Sequence, residues 1–189
     1  MPIVGSFAGA SARAYGLGAG VTGPGDFESI ATTTVGAGGV SDVTFSTIPA
    51  RYTHLQLRIM VQESIDTVAI EFNSDTANNY SRHYLEGDGG VATSGATSST
   101  NMIFVATTYG SSGNNFGVAI VDILDYANTN KYKTVRSITG VNNNASFGKV
   151  ILYSGNWRST SAVTTIKVRS RTSGTLVQYS SFALYGVKA

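Results

Sequence analysis

From Phe27 onward the chain alternates between short apolar-periodic runs and polar turns. The clearest run is THLQLRIMV, in which Leu55, Leu57, Ile59 and Val61 share one face and His54, Gln56, Arg58 and Met60 the other. That two-residue period is the signature of a half-buried strand. The same reading makes Val68, Ile70 and Phe72 core-facing, and likewise Phe116, Val118 and Ile120, then Thr164, Ile166 and Val168, and Phe182 with Leu184. Residues 28–35, 41–47, 80–85, 102–107, 131–139 and 147–153 are dominated by β-branched and aromatic side chains and predict further strands, about ten in all.

Turn chemistry punctuates these runs: GAGG at 36–39, NSDTANN at 73–79, EGDGG at 86–90, GSSGNN at 110–115 and NNNAS at 142–146. The stretch VATSGATSSTN at 91–101 has no apolar alternation and is expected to be a long mobile loop. No helical periodicity and no fixed-length repeat is present. Many short strands with regular turns predict an all-β fold, a β-sandwich or jelly-roll-like module spanning 27–189.

Residues 1–26 read differently, as an extended N-terminal arm of small residues, rich in glycine and holding two of the three prolines. The arm has no periodic apolar face, yet Ile3, Val4, Phe7, Tyr15, Leu17 and Val21 make it too apolar for a solvated linker. Docking on a partner polypeptide is the expected use of such a segment. Its GLGAG at 16–20 follows no strand and opens no helix, so it lacks the context of a phosphate-cradling loop.

Composition narrows the function. Charged residues make up 13% of the 189, against about 25% in an ordinary soluble domain, which leaves a surface of hydroxyls, amides and backbone suited to packing against other protein. There is no cysteine, hence no disulfide and no thiolate chemistry. Apolar runs are far shorter than the roughly 20 residues that span a bilayer as a helix, and the N-terminus lacks a charged region followed by an apolar run, so neither a membrane segment nor a secretory signal is expected. The net charge of +2 conceals a polarity: residues 1–125 hold all 11 acids against 4 bases, −7, whereas residues 126–189 hold 9 bases and no acid, +9. Within one interleaved module the acidic strands are expected to pair with the basic ones, and no nucleic-acid partner is expected.

Candidate chemistry is sparse. His54 and His83 are the two histidines, with no second histidine at metal-ligand spacing and no G-x-S-x-G elbow, so no enzyme is expected. Asp75, Glu86, Asp88, Asp122 and Asp125 could in principle join carbonyls around Ca²⁺, but their spacing matches no cation loop, and no cofactor is expected. Lys167, Arg169 and Arg171 alternate on one strand as a basic stripe that could meet an acidic partner subunit or glycan. Trp157, with Tyr126, Tyr132, Tyr153, Tyr179 and Tyr185, supplies rings for a sugar platform or a partner surface.

Several segments carry a resemblance. GASARAYGLGAG at 9–20 resembles the short small-residue arm that precedes otherwise different modules in structural proteins of tailed bacteriophages, notably those infecting cyanobacteria and marine bacteria. FNSDTANNYSRHYLEGDG at 72–89, VDILDYANTNKYKTVRSITG at 121–140, SGNW at 154–157 and QYSSFALYGVK at 178–188 are similar to a recurrent virion module of such phages. The resemblance implies a virion protein assembled in the host cytoplasm, whose arm attaches to the major capsid protein or to tail or fibre subunits and whose module is displayed. Two positions fit, a capsid decoration or cement protein and a short tail-fibre or adhesin module binding host-surface glycans; homo-oligomerisation is expected in either.

Overall fold

A computed structural model describes residues 27–65, 67–110, 114–143 and 147–188. The arm, with Ile3, Val4, Phe7, Tyr15, Leu17 and Val21, lies outside the described residues. The described chain is all-β: β1 (Phe27–Thr34), β2 (Asp42–Phe45), β3 (His54–Val61), β4 (Thr67–Phe72), β5 (Tyr80–Gly87), β6 (Ala92–Thr100), β7 (Ile103–Thr107), β8 (Gly117–Leu124), β9 (Lys133–Asn142), β10 (Gly148–Trp157), β11 (Ile166–Ser170) and β12 (Ser181–Val187). They form two antiparallel sheets packed as a β-sandwich: a large one ordered β1-β12-β3-β8-β9-β10-β5-β6 and a small one ordered β2-β11-β4-β7.

The core is built from the inward residues of both sheets. Leu55, Leu57, Ile59 and Val61 of β3 face Val68, Ile70 and Phe72 of β4 and Ile166 and Val168 of β11 within one apolar cluster. The small sheet's edge strand β7 is pressed closely onto β8 and β10. A Cβ on Gly117, which opens β8, would sit 2.0 Å from the Thr107 carbonyl oxygen, and one on Gly155 of β10 would sit 2.5 Å from Ile103. Only glycine permits that approach.

Two expectations are corrected. Residues 92–100 are not a loop but β6, paired antiparallel with β5 at the edge of the large sheet. An edge strand with solvent on both faces needs no apolar alternation, so its Thr and Ser run carried no strand signal. In β8 the faces are reversed: Ala119, Val121 and Ile123 are buried, whereas Val118 and Ile120 point to solvent. GVAIVDIL is apolar on both faces, so period alone could not decide which one is covered.

The charge polarity resolves within the sandwich. Asp125 pairs with Lys131, Asp122 with Arg136, Glu86 with Lys149, Glu71 with Arg169 and Glu28 with Lys188, each joining the acidic part of the chain to the basic part. Lys133 is fully buried, and its ammonium donates to the carbonyls of Asn128, Lys131 and Thr160 at 2.6, 2.9 and 3.2 Å. Burial pushes its pKa down, partly offset by Asp125.

Candidate functional site

Trp157 sits in the core and not on the surface. At 2% exposure its ring packs between Phe72, 5.5 Å away, and Tyr80, 6.3 Å away. Its indole N–H donates to Asp75 Oδ2 at 2.8 Å. The NSDTANN turn is thereby locked to the end of β10: Asp75 also accepts from Asn79 and the Ala77 amide, while Asn73 Oδ1 accepts from the Thr164 and Thr165 amides. Burial pushes the Asp75 carboxyl up, but the hydrogen bonds from Asn79, Trp157 and Ala77 outweigh it and hold the pKa below the ordinary value. The Tyr80 hydroxyl, its pKa pushed up by burial, accepts from the Phe72 amide and donates to the Asp75 carbonyl, each at 3.0 Å. These contacts form a structural knot, so the sugar platform centred on Trp157 is ruled out by burial.

The other rings do not assemble either. Tyr126 and Tyr153 are buried, and the exposed Tyr132 and Tyr179 lie at opposite ends of the large sheet. The carboxylates Asp75, Glu86, Asp88, Asp122 and Asp125 are held separately by their own partners, and no cluster of three or more metal-ligating side chains occurs among the described residues. Asp88, for example, is held below the ordinary aspartate value by the amides of Val91 and Gly90. The basic stripe is divided: Arg169 is committed to the buried Glu71, Lys167 lies between Thr44 and Glu71 in register, and Arg171 reaches a cleft described below.

Two surfaces stand out instead, and both lie on the large sheet. The first is its outer face. Leu85, Leu152, Ile138 and Ile120 stand side by side on four consecutive strands, β5, β10, β9 and β8. A second row runs through Val150, Gly140, Val118 and Met60. The seven side chains are 44–59% exposed. At Gly140, where the row has no side chain, a groove of about 390 Å³ opens between Val118, Ile138 and Val150. The neighbouring row is polar: Gln56 donates to Asp122 at 3.0 Å and Arg136 at 2.9 Å. Such a continuous apolar patch with a polar rim is unusual on a protein that acts alone.

The second is a polar cleft of about 390 Å³ at the β7 edge of the small sheet. Inward positions of β5 read Tyr80, Arg82, Tyr84 and Glu86, so the strand turns from core to charge along its length. Arg82 lies with its guanidinium 3.7 Å from the Phe104 ring centroid, and Arg171 approaches the same ring at 5.8 Å. Lys149 and Glu86 close one end, 3.5 Å apart. Burial lowers the pKa of Arg82, and the like charge of Arg171 adds to this. Sequence reasoning reached Arg171 but missed Arg82, Tyr84 and Lys149; charged residues at alternate positions of β5 were the available signal.

Among the described residues no helix is long and apolar enough to cross a membrane. Comparison with protein-family models, with curated proteins and with solved structures finds no match.

Proposed function

We propose that this chain is a non-enzymatic structural protein of a tailed-bacteriophage particle, a capsid decoration or cement protein anchored by residues 1–26, whose outer sheet face packs on a second copy of itself. The observation that carries this reading is the exposed apolar patch on the large sheet, seven aliphatic side chains with no covering element among the described residues. The rim supplies both signs of charge, Asp122 against Arg58 and Arg136, so a two-fold copy meets a complementary border. Each half-exposed aliphatic residue, if fully covered, contributes about 1 kcal/mol, enough in sum to hold a lattice-bound oligomer together. The resemblance of the arm and of the 72–89 and 121–140 segments to phage virion modules supports the location.

Deleting residues 1–26 tests it. The expected outcome is a folded module that no longer incorporates into particles; normal incorporation overturns the reading. A second reading, a short tail-fibre or adhesin module that binds host-surface glycans, is favoured by the polar cleft. It predicts that the isolated protein adheres to host cells and that particles lacking it lose adsorption.

A further inference from the structure

The large sheet has eight strands and the small one four, and the mismatch leaves part of the inner face of the large sheet uncovered. The small sheet's edge strand β7 stands over β8, β9 and β10 and reaches only as far as β5. Tyr80, at the covered end of β5, is fully buried, whereas Arg82, Tyr84 and Glu86 beyond it are half-buried. The overhang is therefore a concave shelf roofed by an edge, open to solvent and lined by polar groups.

We infer that this cleft is a binding site for an acidic saccharide, with the Arg82 guanidinium receiving the sugar carboxylate. Among the described residues Arg82 pairs with no carboxylate: its contacts are the Thr100 hydroxyl, at 3.2 Å, and the Phe104 ring. A guanidinium has five N–H donors in a rigid plane. Held over an aromatic ring and using one donor internally, Arg82 keeps donors for a bidentate acceptor that the described residues do not provide. Arg171 from the other sheet approaches the same Phe104 ring at 5.8 Å, and Lys149 and Glu86 pair with each other at one end of the cleft. A half-buried cation without an anion is costly unless a ligand supplies one.

Saccharide follows from the rest of the lining. Hydroxyls of Thr67, Thr97 and Tyr84 border the cleft and suit a polyol. Gly95, opposite Tyr84, has no room for a side chain because a Cβ would come within 2.6 Å of the Tyr84 ring, so the floor of the cleft stays flat. The volume, about 390 Å³, falls in the range of small-ligand sites, about 300–1,000 Å³. The inference goes beyond the particle assignment and stands whether the module sits on a head or a tail.

The test is calorimetric titration of the full chain with trigalacturonate, with a neutral galactose trisaccharide and with sodium sulfate. Trigalacturonate is expected to bind at least tenfold more tightly than either comparator, and Arg82→Gln to weaken it at least tenfold. Arg82→Lys, which keeps the charge but not the planar fork, is expected to fall between. Should the Arg82 variants fail to fold, Arg171→Gln, at an exposed position, is expected to weaken binding several-fold in protein whose circular dichroism stays native. No binding of trigalacturonate at millimolar concentration overturns the inference, as does equal binding of the neutral sugar. Sulfate binding as tight as trigalacturonate overturns the sugar assignment and leaves a simple anion site.

Discussion

Replacing Trp157 with phenylalanine separates a structural tryptophan from a ligand-binding one. The indole is 2% exposed, packs on Phe72 and Tyr80, and donates to Asp75 Oδ2 at 2.8 Å. A hydrogen bond to a charged acceptor contributes about 1.5–3 kcal/mol. Trimming the indole to a phenyl ring removes about three buried heavy atoms, worth about 2 kcal/mol at about 0.8 kcal/mol per methylene equivalent. Together these put the loss at about 3–5 kcal/mol, and the melting temperature of a chain this size should fall by roughly 10 °C. Because Trp157 is the single tryptophan, the urea transition is followed by circular dichroism and not by fluorescence. Adding Asp75→Asn to Trp157→Phe should cost much less than the two single losses combined, since both remove the same bond. A loss under about 1 kcal/mol with a native spectrum would refute the assignment of this ring to the core knot.

Three further outcomes follow from the same geometry. The Asp75 pKa is lower in the folded state than in the unfolded chain, so its contribution is present above the ordinary aspartate range and is lost as pH falls through the folded value; urea midpoints measured from pH 6 down to pH 2 should decline below about pH 4, less steeply in Asp75→Asn. Lys133→Met strips the common donor from the carbonyls of Asn128, Lys131 and Thr160 and should destabilise by about 3 kcal/mol in urea unfolding, a cost set by the stranded acceptors and not by lost charge. Ile138→Lys, at the centre of the apolar face, should leave the melting temperature within about 2 °C and shift sedimentation of the full chain from oligomer to monomer.

What could be read from the sequence depended on how each strand is covered. β3 has one apolar and one polar face, so its inward residues were plain from period alone. β8 is apolar on both faces, and which set is buried is settled only by β7 lying against one of them. β6 is solvated on both sides and shows Thr, Ser and Gly without alternation, which reads as loop. The cleft was out of reach for a different reason. Its residues come from β4, β5, β6, β7, β10 and the residue following β11, and it exists because eight strands meet four, a property of strand order that no local pattern encodes. Arg82 and Glu86 at inward positions of β5 are its one local trace, legible once the inward face is known. Trp157 illustrates the converse: a lone tryptophan in SGNW suggests a surface ring, but its neighbours Phe72 and Tyr80 arrive from the ends of β4 and β5, 77 or more positions earlier in the chain.

The central claim is that this chain is a displayed component of a phage particle, held by its first 26 residues. Cryo-electron microscopy of particles carrying a tag fused after Ala189 tests it most directly. The account predicts repeated density on the outer head surface, absent when residues 1–26 are deleted. Particles that contain no copy of the chain, or that retain it undiminished without those residues, would contradict it.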